Sequence, residues 1–384
     1  MADVVVIGAG ITGAAAAYEL ATAGLGVVLL DRYGPAAMAS GWTLGGVRQS
    51  GRHPAELQLA RAAVARWSEL DQLLDGPTGY HRGGNLRLAR TEAECAVIRT
   101  LVQAQTEQGL DLEFIQDRQT LRELAPALSD DVLAASICPT DGAADSVASV
   151  NAYVSAATRA GAVIRFGERA IAIETAAGRV IAVCTDQGRI AAGAVILAAG
   201  IFGNELLTPL GLHVPLRVPM VTVLRSAPMP VTLRQVIGVA NADCAGRQQP
   251  DGRFRVTSGL ENWDGVMQET DRPVVHPTAG SVAETVERFG HVVPAFRSAR
   301  IETLWAGLID LTPDALPVID SVPEPAGLTI AMGFSGHGFC LGPITGRILA
   351  ELAQRHAPTL PIAPFQLARF AGAPATHAHA TLHG

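Results

Sequence analysis

The chain contains no lysine; all 29 of its basic residues are arginine. Roles that need a lysine amine are therefore excluded outright. The arginines form no tract, and a formal charge of −7 offers no positive field to a phosphate backbone, so nucleic acid is excluded as a partner. Cysteine is scarce too. Cys95, Cys138, Cys184, Cys244 and Cys340 are odd in number and none is paired as CxxC, which argues against an iron–sulfur cluster, a structural zinc or any other metal site. No apolar run approaches the roughly 18 residues of a membrane span. The first strand is expected at residue 3 or 4, with no basic leader or cleavable apolar segment before it, and a cytoplasmic protein is the expectation. What the chain has in plenty is core: 384 residues, 48% apolar and 17% charged, suffice for two domains of ordinary size.

The strongest positive signal stands at the start. Val4-Val-Val-Ile-Gly8-Ala-Gly10-Ile11-Thr12-Gly13 reads as a buried strand, a tight glycine turn and a helix start, followed by a second strand, Val27-Val-Leu-Leu-Asp31-Arg32. Gly8 suits the backbone angles of the turn, Gly10 keeps side-chain atoms away from a pyrophosphate, and Gly13 lets the helix lie close on the sheet. The pyrophosphate would rest on amides at the positive end of the helix dipole. Asp31 ends the second strand where a carboxylate can accept the hydroxyls of an adenosine ribose. Together these describe a dinucleotide site.

Beyond Arg32 lies a Gly, Ala and Ser loop containing Ser40-Gly-Trp-Thr-Leu-Gly45-Gly46-Val-Arg48-Gln49, whose adjacent glycines allow backbone to approach a flat group. His53-Pro54-Ala-Glu56 reads as a helix start, with helical spacing from Leu57 to Leu74, and Gly83-Gly84-Asn85-Leu86-Arg87-Leu88 alternates like a strand with one exposed face. Helical stretches are expected from Glu92 to Gly109 and from Val150 to Ala160. Strands follow at Ala170–Glu174, Arg179–Cys184 and Ala194–Gly200, then an antiparallel region between Leu212 and Ala299. Near the end, Leu328 to Gly333 leads through Phe334-Ser-Gly336-His337-Gly338-Phe339 to a helix expected over Ile344–His356, with Pro343 in its first turn.

Along essentially its whole length the chain resembles the D-amino-acid oxidase superfamily of FAD flavoproteins. Four landmarks carry the resemblance: Gly8-Ala-Gly10-Ile-Thr-Gly13, Ala198-Ala199-Gly200, Trp305-Ala-Gly307-Leu-Ile-Asp-Leu-Thr312-Pro313-Asp314, and Gly333-Phe-Ser-Gly-His-Gly-Phe339. Within the superfamily the last motif looks most like the β-type catalytic subunits of heteromeric sarcosine oxidases, proline or hydroxyproline dehydrogenases and opine oxidases. The resemblance implies an α/β (α+β overall) fold, with a Rossmann-like FAD domain of the glutathione-reductase type and a substrate domain built on a mainly antiparallel sheet. The FAD domain is expected to be discontinuous, over residues 1–78, 141–211 and 300–370. Residues 79–140 and 212–299 would form the substrate domain, and 371–384, with His377, His379 and His383, a flexible tail.

For FAD, the expected binding residues are Gly8, Gly10, Ile11, Thr12, Gly13, Asp31, Arg32, Ser40, Gly45, Gly46, Ala170, Ala199, Gly200, Gly307, Gly333, Gly336, His337, Gly338 and Phe339. The loop from Gly333 to Gly342 would supply amides to the flavin edge that becomes negative on reduction. Arg48 and His337 are the candidate catalytic residues. Arg48 is expected to hold a substrate carboxylate with its guanidinium fork, the alternative being a bond to a loop carbonyl or the cofactor. His337 either places a polar ring at the flavin edge or satisfies its hydrogen bonds within the loop. Arg217, Arg225 and Arg255 could reach a second carboxylate or lie at the surface, and Trp305 could wall the site or pack in the core.

Three departures from the resemblance matter. Glycine-oxidase-like relatives hold the substrate carboxylate with an arginine where this chain has Ile309. Relatives that attach FAD through cysteine do so where this chain has Gly307, so noncovalent FAD is expected. Those same relatives use a lysine to promote reaction with oxygen, and this chain has none, which favours a dehydrogenase. The reaction expected is oxidation of the C–N bond of an amino-acid-like amine such as sarcosine, proline, hydroxyproline or an opine, by hydride transfer to flavin N5, giving an imine. A stand-alone glycine or D-amino-acid oxidase making peroxide is the first alternative, and a non-amine flavoprotein borrowing the fold is the second. A hetero-oligomer with an electron-accepting subunit is implied, and a second flavin or iron–sulfur centre is expected only with that partner.

Overall fold

A computed structural model of the chain describes residues 2–371 and contains two large sheets. The first starts where the glycine motif predicts it. Strand Ala2–Ile7 pairs in parallel with Val27–Asp31 on one side and with Gly188–Leu197 on the other. Val163–Phe166 and Leu328–Met332 extend the parallel core, Val318–Ser321 adds an antiparallel edge, and Ala170–Ala176 with Arg179–Thr185 forms a meander leading into Gly188–Leu197. Alternation along the first strand explains the layers. Val4 and Val6 face the helical layer, while Val5 and Ile7 face the core beneath the meander.

The helical layer packs Ile11–Thr22 against Ser146–Arg159 and Gly338–Ala353, with Pro54–Trp67 beyond the last. Small residues permit the close approach: Ala14, Ala15, Ala16 and Ala17 are completely buried. A Cβ on Gly346 would lie 2.4 Å from that of Ala15, and one on Gly342 would lie 2.5 Å from Ile11 Cγ2.

The second sheet runs Ile301–Leu308, Met220–Ser226, Phe254–Ser258, Cys244–Gln248, Val236–Val239, Asn85–Ala89, Ala134–Cys138, Glu113–Ile115. All neighbours are antiparallel except Val236–Val239 with Asn85–Ala89. One face packs on helix Ala279–Val292, where Phe254, Phe289 and Phe296 meet edge to face. The other face closes over a cavity against the first sheet.

Several elements depart from the sequence expectations. Ile301–Leu308, assigned to the FAD domain by the boundary at 300, pairs along its length with Met220–Ser226 and so belongs to the second sheet. Asn85–Ala89 has strands on both sides, and Leu86 and Leu88 are fully buried. The helix expected from Leu57 to Leu74 breaks after Trp67 and resumes at Leu70–Leu73. The final helix begins at Gly338 rather than Ile344, so Pro343 lies inside it. The earlier start leaves the glycine loop short, ending at His337, and directs the helix N-terminus at the cavity. Apart from Ala371, the proposed tail with its histidines lies outside the described residues.

Candidate active site

Between the two sheets runs a continuous cavity of about 320 Å³. Its first end is made by the glycine motif. Gly8 has φ +107°, and a Cβ there would lie 2.3 Å from the carbonyl oxygen of Ala198. Gly10 faces the Ser40 hydroxyl, which accepts the Ile11 amide at 3.0 Å. A Cβ on Gly13 would sit 1.9 Å from Gly8 O, so this glycine serves helix-on-strand packing and lies behind the cavity wall. Asp31 takes the Ala9 amide at 2.7 Å on one oxygen and the Tyr33 and Gly34 amides at 2.8 and 2.9 Å on the other. A carboxylate has room for about four donors, so this arrangement leaves acceptor capacity for a ribose hydroxyl. Arg32 lies 3.9 Å over the Phe202 ring and pairs with Glu205 at 2.8 Å.

Most expected cofactor residues border this cavity: Gly8, Gly10, Ile11, Thr12, Asp31, Arg32, Ser40, Gly46, Ala170, Ala199, Gly200, Gly307, Gly336, His337, Gly338 and Phe339. Gly13, Gly45 and Gly333 do not. Gly45 is spent on a turn at φ +82°, where a Cβ would strike Ala144 O at 2.5 Å. Gly333, at φ +70°, is packed on Thr312 and donates its amide to Asp310 at 2.7 Å. A side-chain-free turn, a hydroxyl and a helix N-terminus at one end, and a second helix N-terminus at the other, fit a dinucleotide carrying a flavin.

The other end of the cavity collects charge. Arg48 borders it from the loop that pairs Gly46 and Val47 with Ala143 and Gly142. Its guanidinium donates to Ser50 O at 2.5 Å, so cavity lining and a loop-carbonyl bond coexist. Burial, then Arg52 and Arg87, pull its pKa down to about 9 against Asp141 and Glu56, and it stays charged at neutral pH. Asp141 anchors the loop by accepting the Gln49 and Ser50 amides at 2.8 and 3.2 Å and the Ser50 hydroxyl at 2.5 Å. Arg87 enters from the second sheet, where Leu86 and Leu88 turn to the opposite face. Asp310, also on the wall, is pushed up to about 6 by burial, although backbone amides beginning with Gly333 pull it down.

His337 is the N-cap residue of the last helix and borders the cavity; its Nδ1 is hydrogen-bonded to Glu56 Oε1 at 3.1 Å and lies 2.9 Å from Oε2. Glu56 is fully buried in the first turn of Pro54–Trp67, with Arg52 Nη1 3.7 Å away. Burial and the neighbouring Arg52 lower the imidazole pKa more than Glu56 raises it, so the ring is neutral at pH 7. Burial opposes ionisation of Glu56, but the hydrogen bond with His337 and the charges of Arg52 and Arg48 outweigh it and hold the carboxyl below its usual range. The hydrogen bond assigns the ring proton to Nδ1 and makes Nε2 the acceptor nitrogen.

Sequence reasoning missed Arg52, Glu56, Arg87, Asp141 and Asp310. Glu56 in particular reads as an ordinary acid in a helix first turn, and no local signal marks its partner 281 residues away. Three arginines suggested for a second carboxylate lie elsewhere. Arg217 is exposed, while Arg225 and Arg255 border a separate depression with Trp305, where the Arg255 guanidinium sits 4.9 Å from the indole and donates to Gly41 O at 2.8 Å.

The sequence model of the family described as "DAO: FAD dependent oxidoreductase" matches residues 3–352. The chain is 29% identical over 380 residues to a glycine oxidase of Geobacillus kaustophilus, covering 96% of this chain and 97% of that protein. To the sarcosine oxidase subunit beta of an Arthrobacter species it is 26% identical over 382 residues, covering 96% and 91%. Among solved structures, L-proline dehydrogenase from P. horikoshii superposes with a TM-score of 0.88 at 24% identity, over 96% of this chain and 97% of that one.

Proposed function

The chain belongs to the DAO family of FAD-dependent oxidoreductases and is an enzyme acting on amine donors, and from that premise we propose that it oxidises the C–N bond of a secondary amino acid such as sarcosine, proline, hydroxyproline or an opine. The observation carrying this reading is the charged Arg48 on the cavity wall, beside the Gly336–Phe339 helix start, where Cys340 Sγ lies 3.4 Å from the Arg48 carbonyl. A carboxylate bound there is held away from bulk water, where a charge-assisted hydrogen bond is strongest.

Gly8, Gly10, Ser40 and Asp31 would hold the nucleotide half of FAD, and the first turn of Gly338–Ala353 would face the flavin with its amides. Bound there noncovalently, FAD would supply the two-electron acceptor. The protein's own contribution is placement. Arg48 fixes the carboxylate and with it the C–H bond one carbon away, so that the reacting atoms need no further orientation. Val221 and Val223 from the second sheet line the same cavity and exclude water from the imine product. Ile309 borders the cavity as well and offers a carboxylate no donor, whereas Arg48 does.

The similarity to a glycine oxidase favours a second reading, a primary-amine oxidase making peroxide. Arg48, Arg52 and Arg87 supply positive charge that the absence of lysine would otherwise withhold from such an oxidase. Replacing Arg48 with alanine should weaken apparent affinity for the amino acid on the order of 100-fold while leaving flavin content unchanged, measured by anaerobic titration. Unchanged affinity and turnover would remove Arg48 from its role. Admitting air to the reduced enzyme then separates dehydrogenase from oxidase by the rate of reoxidation.

A further inference from the structure

Three arginines stand in a row across the second sheet. Arg225 is paired directly with Arg255, and Arg255 with Arg247, on neighbouring antiparallel strands. Like charges placed opposite one another in this way repel. The ion pairs nearby stop at the outer end of the row, where Arg225 and Arg253 share Glu302 at 3.4 and 3.0 Å. Among the described residues no carboxylate lies within ion-pair distance of Arg255 or Arg247. Arg247 is spent on the fold, donating to Leu44 O at 2.7 Å and Ala144 O at 2.9 Å.

Arg255 and Arg225 are not spent in full. Arg255 is 9% exposed and commits one nitrogen, Nη2, to Gly41 O. Arg225 uses its Nη2 for Thr303 and Glu302. The Nη1 of each makes no hydrogen bond yet is not sealed off, and neither residue borders the cofactor cavity, so these nitrogens open to the depression walled by Trp305, Gln249, Asn151 and Val147. Three buried atoms of its lining residues, Arg225 Nε, Arg255 Nε and Gln249 Oε1, have no partner at all, although buried polar groups are nearly always paired. The first turn of Ser146–Arg159 closes the opposite side with Val147 and Ala148, adding the positive end of a helix dipole. Asp145, the one carboxylate on the rim among the described residues, is turned to its own helix and accepts the Ala148 amide at 2.8 Å. Burial and then Arg247 pull the Arg255 pKa down to about 9 against Asp145, so its charge persists at neutral pH.

We propose that this depression is a second ligand site, apart from the cofactor cavity, and that it takes a phosphate-type oxyanion, free or as a small monoester, between the Arg225 and Arg255 guanidinium groups and the start of Ser146–Arg159. A tetrahedral dianion suits donors arriving from two sides and offsets the charge that the sheet leaves uncompensated. The site does not depend on which amine the enzyme oxidises.

The test is isothermal titration of the flavin-containing full chain, with FAD in excess so that the pyrophosphate turn is occupied, using inorganic phosphate and glycerol 3-phosphate as separate probes at constant ionic strength. Saturable binding on the order of 1 mM or tighter is expected, and the tighter of the two probes tells whether free phosphate or a monoester is the better fit. R255Q and R225Q should each weaken it roughly 10- to 100-fold. Because R255Q also removes the bond to Gly41, N151D supplies a variant at the rim that leaves the packing alone; its added charge should weaken binding, most at low salt. Heats no different from those of acetate at the same ionic strength, or binding that R225Q, R255Q and N151D all leave unchanged, overturn the proposal.

Discussion

Asp310 is a carboxyl the fold keeps partly protonated. Its ordinary value of 3.8 is raised to about 6 by burial, so the stability it contributes is fully present below about pH 4 and is lost as pH rises through 6. Ionising it in the fold costs roughly 3 kcal/mol, and asparagine keeps an acceptor for the Gly333 amide while removing the charge. D310N should therefore be more stable than the wild type at pH 7, with the difference closing toward pH 4.5, in denaturant unfolding at fixed excess FAD. Equal slopes against pH in the two proteins would contradict this. The contrast between Gly8 and Glu56 shows what a sequence can reveal at this scale. Gly8, Gly10, Ser40 and Asp31 act through backbone geometry within a short strand–turn–helix–strand unit, which leaves a local pattern. Glu56, Arg87 and Asp141 acquire meaning only when distant segments converge on Arg48 and His337, and Gly45 and Gly333 look like cofactor glycines while serving turns beside the cavity.

At the scale of elements, the two helices that present their N-termini to the cavity are locked together through small residues. A methyl group on Gly346 must displace Ala15 or the backbone at Ala16 N, 2.7 Å away. Gly346→Ala should destabilise by roughly 1–3 kcal/mol and also weaken flavin binding, because Ala15 belongs to the helix that opens at the Gly8–Gly13 turn. Gly280→Ala serves as the contrast: its nearest outside atom to an added Cβ is Thr278 Oγ1 at 3.7 Å, and it should stabilise by roughly 0.5 kcal/mol. Thermal unfolding with quenching of flavin fluorescence measures both quantities, and equal behaviour of the two variants would refute the packing argument. Element types were legible from periodicity, but ends were less so. Pro343 reads as a helix first turn, yet the helix starts at Gly338, since the glycines ahead of it accept helical geometry once Phe339 packs on Trp67, with ring centroids 4.9 Å apart. Ile301–Leu308 carries a landmark of the cofactor site and was grouped with the FAD domain, whereas its backbone pairing is with the second sheet.

For the molecule as a whole, the two sheets enclose one cavity whose ends differ in chemistry, a glycine and carboxylate end and an arginine-rich end. Among the described residues no helix is long and apolar enough to cross a membrane. An electron-accepting partner, as the resemblance in sequence implies, predicts slow reoxidation in air and activity in a heteromeric species; a fully active single species by native mass would refute it. The most direct test of the central claim is an anaerobic titration of the purified full chain, following the blue flavin absorbance as sarcosine, D- and L-proline, hydroxyprolines, glycine and opines are added in turn. Bleaching by a secondary amino acid, at concentrations raised sharply by Arg48→Ala, is the predicted result. Flavin that stays oxidised with every amine would contradict it.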